Sequence, residues 1–395
     1  MTLRLSCSGA HRNVTLTATG ALRLGSRTPQ YFARSLSTSR TAAQSHALSQ
    51  PLRCHVGVSF ASKDSPPFST RDEADRSASK GFQAGPIARW KDQMLGMGTL
   101  RTELLKTTGT EEGKELSDVE QAKQLEGVIQ DRKRWGAGED FFLVRQGGDA
   151  RTILGLSDGV GGWASEGVDP SLFSQALMWH ASKQSDKNPS ASVAKILSNA
   201  YEAVIKEDGV PCGSATACVS SFDSTSGTLE SINLGDSGFS IIRDGKVFFE
   251  APSQTHYFNC PRQLTKLKKG SPSAGMVMDL PENGDLYKQK LQKGDMVLLY
   301  TDGLADNVHN SQILALLKHV DATLANPTNA FLLPAEKALE RARLLADVLV
   351  AYARLCMSRQ DIVSPFEQAA AKEGIRYPGG KIDDITVIAA HITEE

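Results

Sequence analysis

Asp158 and Asp302, 144 positions apart, each close an apolar run and each stand directly before a glycine, in Ile153-Leu-Gly-Leu-Ser-Asp158-Gly159 and Met296-Val-Leu-Leu-Tyr-Thr-Asp302-Gly303. A third acidic cluster, Lys381-Ile-Asp383-Asp384, opens an apolar run near the C-terminus. Glycine after aspartate suits a strand end that turns sharply and lets the backbone approach a ligand. Carboxylates gathered at such ends from distant parts of a chain are what a hard divalent cation needs. Glu139-Asp140, Asp306, and Asp236 within Asn233-Leu-Gly-Asp236-Ser-Gly238 lie at comparable boundaries and join the candidate set. If these acids converge, their repulsion must be offset, and divalent cations do so most simply. No histidine pair or cysteine cluster lies beside them in the sequence, so the donors are all oxygen, which favours Mg²⁺ or Mn²⁺ over zinc. Two such ions can activate water and hold a phosphoryl oxygen together, and phosphate-monoester hydrolysis is slow enough to need that help. A lone Ser-Asp-Gly or Thr-Asp-Gly is more often a turn than a ligand. The weight rests on the whole set, in order and at strand boundaries.

The elements that must position these acids are legible from periodicity. His55–Phe60 alternates like a half-buried strand. Phe141–Arg145 and Thr152–Leu156 read as a hairpin, and a helix opens at Asp169-Pro170 and runs through Phe173, Leu177 and Met178. A second helix is expected from near Pro189, with Val193, Ile196, Leu197 and Tyr201 on one face. Strands follow at Ser214–Phe222, Thr228–Leu234, Phe239–Arg243 and Lys246–Glu250, the last two joined by the Asp244-Gly245 turn. Met296–Thr301 is apolar throughout and reads as a strand buried on both faces. Helices are expected over 310–319 and 335–358, a further one within 114–134, and a last strand over Ile385–His391. Hairpin-linked strands with helices arriving in pairs give an α+β fold: two packed, mainly antiparallel sheets flanked by helix pairs, an α-β-β-α sandwich. Residues 64–134 read as an elaboration on that domain, which spans 54–395.

The 395 residues, 40% hydrophobic and 23% charged, suffice for a substantial core. The net charge of -1 hides an asymmetry. The first fifty residues hold six arginines, no lysine and no acid, and are rich in Ser and Thr. This is the make-up of a mitochondrial transit peptide, expected over 1–43, and it points to the matrix; an ordinary basic tail is the plainer alternative. From Asp64 onward 36 basic residues face 45 acidic ones, which argues against a general nucleic-acid binder. No stretch is apolar enough to span a membrane, and six cysteines without zinc spacing read as reduced thiols. The Lys266-Leu-Lys-Lys269 cluster reads as a solvated face.

The motifs also resemble a known family. Gly138-Glu-Asp140, Leu156-Ser-Asp-Gly159, Gly213-Ser-Ala-Thr-Ala217, Asn233-Leu-Gly-Asp-Ser237, Thr301-Asp-Gly-Leu304 and Asp383-Asp-Ile-Thr-Val387 stand in the order found in the PPM family, the metal-dependent type 2C protein phosphatases. Ser157-Asp-Gly-Val-Gly-Gly-Trp163, Gly167-Val-Asp-Pro170 and His256-Tyr-Phe-Asn259 are most similar to its mitochondrial branch. The resemblance implies that Asp158 bridges two metals, that the Gly159 carbonyl binds one, and that Asp302 and Asp383 hold the other. It implies that Glu139 and Asp140 orient metal-bound waters, and that Asp236 and Asp306, with Asp302, form a weaker third ion position. The implied reaction is attack of a bridging hydroxide on phosphoserine or phosphothreonine, with phosphorylated mitochondrial proteins as substrates. A catalytically weak regulatory domain of the same fold, or a phosphatase of small phosphorylated metabolites, is the alternative. The chain departs from the pattern in three places. Trp135 stands where many relatives place a phosphate-binding arginine, Val160 where some have a histidine that protonates the leaving group, and Gly238 where an arginine often follows the Gly-Asp-Ser. Arg134 or Lys133 could replace the first, and His256 is a candidate for the second that reads more simply as a packed loop residue.

Overall fold

The computed structural model describes residues 51–65, 81–98, 136–147, 150–268, 270, 276–327 and 332–394. The expected transit peptide, Trp135 with its neighbours, and the helix expected within 114–134 lie outside the described residues.

Two five-stranded antiparallel sheets form the centre. One runs in the order β1 (Leu52–Ala61), β14 (Ile385–Glu394), β13 (Met296–Tyr300), β7 (Gly238–Arg243), β8 (Lys246–Glu250). The other runs β12 (Asp285–Lys290), β6 (Thr228–Leu234), β5 (Ala217–Asp223), β3 (Arg151–Asp158), β2 (Asp140–Gln146). They meet face to face, with Phe60 of the first 5.5 Å from Phe142 of the second. β13 is buried on both faces, as its composition requires. Met296, Leu298 and Tyr300 enter one apolar cluster with the helices, while Val297 and Leu299 enter the cluster between the sheets. β14 divides its residues in the same way, Val387 and Ala389 against Ile388 and Ala390.

Helices cover both outer faces. α1 (Gly85–Leu95) and the pair α2 (Ser171–Lys187) and α3 (Val193–Lys206) pack on the sheet of β2 and β3. The single turn α4 (Asp302–Ala305), α5 (Asn310–Ala325) and α6 (Pro334–Met357) belong to the other side, and α7 (Pro365–Lys372) is tied to the end of α4 by the Phe366 N–H, which donates to Asp306 O at 3.0 Å. α6 lies directly on β1: a Cβ at Gly57 would sit 2.4 Å from the Arg343 backbone nitrogen, so only glycine admits that approach. Among the described residues no helix is long and apolar enough to cross a membrane.

Four of the departures from the sequence expectation have a readable local cause. Ser214–Phe222 is not one strand. It breaks at Thr216 into β4 (Gly213–Ala215), paired with β11 (Leu264–Lys266), and β5 in the main sheet. Thr216 is diverted because its N–H bonds Asp158 O at 2.9 Å and its hydroxyl accepts the Asp158 N–H at 3.1 Å. α3 starts at Val193, not near Pro189, because Ser192 supplies the N-cap, accepting from the Lys195 N–H. α7 was not expected, although Ser364-Pro-Phe-Glu367 is a readable helix start in which Ser364 accepts the Glu367 N–H. Lys266 is not merely solvated. Its Nζ donates to Val204 O (3.0 Å) and Glu207 O (2.7 Å), closing the C-terminus of α3.

Candidate metal centre

The candidate acids share one end of the sandwich because each sits where a strand of the two sheets starts or stops. Asp140 and Asp158 are direct cross-strand partners at the end of the β2–β3 hairpin, an unfavourable pairing of like charges left to themselves. Asp302 follows β13 and Asp383 precedes β14, its antiparallel neighbour. Asp236 lies in the turn between β6 and β7, and the Asp306 N–H bonds Asp302 O at 2.7 Å, placing it one turn later. The loops touch with no space for side chains between them. Gly138 holds a φ of +69°, and a Cβ there would fall 2.0 Å from Asp384 Oδ1.

An open cleft results, walled on one side by Glu139, Asp158, Gly159, Asp236, Asp302 and Asp383. Asp140 and Asp306 do not line it, although both are tied to residues that do. The facing wall holds Asn259 and Pro261, carried by the small hairpin β9 (Thr255–Tyr257) and β10 (Cys260–Pro261). Asn259 adopts a left-handed backbone, φ 55°, which asparagine tolerates better than most residues. A directional chain of hydrogen bonds joins the walls. Trp163 Nε1 donates to Ser214 Oγ (2.6 Å), Ser214 Oγ to Gln263 Oε1 (2.6 Å), and Gln263 Nε2 to Pro261 O (3.1 Å). His256 stays out of the cleft lining; it is exposed on β9, not packed in a loop, and bonds Asp279 Oδ2 at 2.8 Å. Val160 lines the cleft and brings no side-chain proton donor.

Two lysines that sequence reasoning left without a role sit among the acids. Lys63 Nζ is 2.6 Å from Glu139 Oε2, 3.2 Å from Asp384 Oδ2 and 3.4 Å from Asp383 Oδ1. Lys381 Nζ is 2.5 Å from Asp302 Oδ2, 2.8 Å from Asp306 Oδ2 and 3.0 Å from Asp383 Oδ2. Their signal was faint: a lysine just past the first strand, and one two residues before the Asp-Asp pair. Three further residues act as struts. Thr301 Oγ1 donates to Asp140 Oδ2 (2.8 Å). Asn307 joins Gly303 O, Lys381 O and the Lys381 N–H. Asp384 accepts the N–H groups of Lys63 (2.8 Å) and Glu139 (2.9 Å).

Charge follows this geometry. Enclosure by protein pushes Asp158 well above the ordinary carboxylate range, with Asp140 and Asp302 adding to it. Asp140 is raised by burial and by Asp384, against the Thr301 hydrogen bond. Burial lifts Glu139 to about 7 against the pull of Lys63, and Asp306 to about 7 against the pull of Lys381. Burial opposes the charge on Asp383 too, but the two ammonium groups outweigh it and hold its carboxyl below the usual value. Both lysines are raised, their carboxylates overcoming burial.

A pH dependence follows. A carboxyl whose folded pKa exceeds its unfolded value stabilises the fold at low pH and loses that contribution as pH rises through the folded pKa. For Glu139 and Asp306 the window runs from the ordinary carboxylate range up to about 7. Asp383, shifted the other way, loses its contribution only below its unfolded pKa. The urea midpoint of protein held in EDTA is therefore expected to fall from pH 5 to pH 7.5. A midpoint that stays level or rises would show that the lysines already neutralise these acids.

The donor chemistry fits a hard divalent cation. The cluster offers oxygen alone, and Asp302 Oδ1 is buried with no hydrogen-bond partner among the described residues, a costly state unless something binds it. Among the described residues no three acids converge tightly enough to grip an ion as they stand. The ammonium groups of Lys63 and Lys381 lie among these carboxylates instead.

The chain is similar to known proteins over much of its length. A family model described as Stage II sporulation protein E (SpoIIE) matches residues 148–343. The protein phosphatase PTC7 homolog fig of Drosophila grimshawi is 35% identical over 281 residues, 68% of this chain and 85% of that relative. The protein phosphatase PTC7 homolog of Homo sapiens is 36% identical over 260 residues, 65% of this chain and 80% of that relative. Among solved structures, the photosystem II phosphatase PBCP superposes with a TM-score of 0.50 at 27% identity, covering 64% of this chain and 91% of its own.

Proposed function

The chain belongs to the type 2C protein phosphatases and is a protein serine/threonine phosphatase, and on that premise we propose that it works through two divalent cations, Mg²⁺ or Mn²⁺, in the carboxylate-lined cleft. Asp158, the Gly159 carbonyl, Asp302 and Asp383 would hold them, with Glu139 and Asp140 orienting the surrounding water. The observation that carries this reading is the meeting of Asp158, Asp302 and Asp383 in one cleft together with the partnerless Asp302 Oδ1. When bound, the ions supply Lewis acidity toward a phosphoryl oxygen and bring water closer to its ionised form.

The chain's own residues do the positioning. Thr216 fixes the backbone at Asp158, and Thr301 fixes the Asp140 carboxylate. Asp384 sets Glu139 through its N–H. Asn259 and Pro261 form the wall against which a phosphoserine or phosphothreonine side chain would lie. Val160 has no proton to give, so protonation of the departing alkoxide falls to another group in the cleft.

The test is phosphate release by the full chain from phosphothreonine peptides, with and without EDTA, beside a panel of small phosphorylated metabolites. Release from peptides that needs Mn²⁺ or Mg²⁺ supports the reading. Turnover of metabolites alone would transfer the site to the other substrate class.

The arginine-rich, acid-free first fifty residues support a mitochondrial destination, and phosphorylated mitochondrial proteins as substrates. Residues 1–50 fused to a fluorescent reporter are expected to carry it into mitochondria. A reporter left in the cytosol would refute the assignment.

A further inference from the structure

Lys381 is built into the acid cluster rather than resting on it. Its backbone is clamped by Asn307, which accepts the Lys381 N–H at 2.9 Å and donates to its carbonyl at 2.8 Å while also holding Gly303 O at 2.9 Å. The lysine is thereby fixed to the same loop that carries Asp302 and Asp306. Its ammonium lies over Phe366, whose ring centre is 5.3 Å from Nζ, a favourable place for a cation. The side chain is 10% exposed, and the three protons of its ammonium reach three carboxylates, those of Asp302, Asp306 and Asp383. Asp236 lies within electrostatic reach of the same group.

Asp236, Asp302 and Asp306 are the acids that would together hold a third, weaker divalent ion. In this chain Lys381 already brings positive charge to two of them directly, Asp302 and Asp306, and to Asp236 at longer range. Asp302 uses Oδ2 for the ammonium and keeps Oδ1 buried and partnerless, so its two oxygens face different occupants: one the lysine, the other open to an ion. We propose that Lys381 is a tethered third cation, its ammonium taking the place of a third divalent ion among Asp236, Asp302 and Asp306 and leaving the centre with places for two. The inference rests on the two-ion reading above. Being covalently attached, the ammonium has a high effective concentration at the site and cannot be diluted or chelated away. The third positive charge would then persist at metal concentrations where a weak third ion would be lost.

Counting bound Mn²⁺ tests this without recourse to activity. The full chain and its Lys381→Met variant are titrated to saturation, and free Mn²⁺ is read by electron paramagnetic resonance. Methionine keeps an unbranched stem and removes the charge, leaving buried carboxylates uncompensated. The variant is expected to take up about one further ion per chain relative to wild type. An equal or smaller uptake overturns the tethered cation. The difference between the two proteins tests the lysine, whereas the wild-type count tests the two-ion reading, so each can fail alone. If Lys381→Met does not fold free of metal, it is refolded in Mn²⁺ and the bound metal counted after gel filtration. The double variant Lys381→Met/Asp306→Asn lacks one of the site's carboxylates and is expected to return to the wild-type count. Retention of the extra ion in that protein would place it elsewhere and overturn the proposal as well.

Discussion

Asp302→Asn is expected to lower Mn²⁺-dependent phosphate release from phosphothreonine peptides by more than about 100-fold, since removing mere supports of metal ligands already costs about 10–100-fold. The exchange is nearly isosteric, and the core of β13 is untouched. One end of the new amide must still accept from Lys381, as Asp302 Oδ2 now does at 2.5 Å. That leaves the NH₂ where the partnerless Oδ1 now stands, directing a donor at the place of an ion. The fold should survive, because a lost ion pair is partly offset by one repelling carboxylate fewer. Circular dichroism and thermal unfolding should match wild type closely, while EDTA silences the wild type to the level of the variant. Wild-type turnover in Asp302→Asn would sink the proposed metal assignment.

Asp384→Ala has the largest expected effect on stability. Asp384 is 2% exposed; it accepts two backbone N–H groups, at Lys63 and Glu139, and pairs with Lys63 Nζ at 3.2 Å. Hydrogen bonds to a charged acceptor contribute about 1.5–3 kcal/mol each, and donors left buried add their own cost. A loss of about 3–5 kcal/mol is expected in urea unfolding of the metal-free protein, a large share of a typical domain's total. Asp384→Asn, which keeps one acceptor oxygen, should lose about half as much. A loss below about 1 kcal/mol in the alanine variant would mean that water replaces the carboxylate and that Asp384 is no strut.

The architecture was legible where the signal is local. β13 could be recognised because a short run apolar at every position, ended by Asp-Gly, has few alternatives to a strand buried on both faces. β2, β3 and the β7–β8 hairpin followed from turns flanked by strand-forming residues. The α+β sandwich followed from their order. The break at Thr216 did not, because Gly213-Ser-Ala-Thr-Ala217 has the composition of one strand. What divides it is a pair of hydrogen bonds to Asp158, 58 positions away.

At the site, the sequence by itself determined which acids stand at strand ends, since side-chain type and chain reversal are both written locally. Asp158, Gly159, Asp302 and Asp383 were singled out that way, and the structure gathers them in one cleft. Only the tertiary structure decided how charge is distributed among them. Asp383 and Asp384 are neighbours of the same type, yet Asp383 lines the cleft and Asp384 turns inward to hold two loops together. Lys63 and Lys381 had no role in the sequence reading until folding placed each among three carboxylates. Electrostatic energy depends on separation in space and on the water excluded between charges, and neither quantity is present in a chain until residues hundreds of positions apart have been brought together.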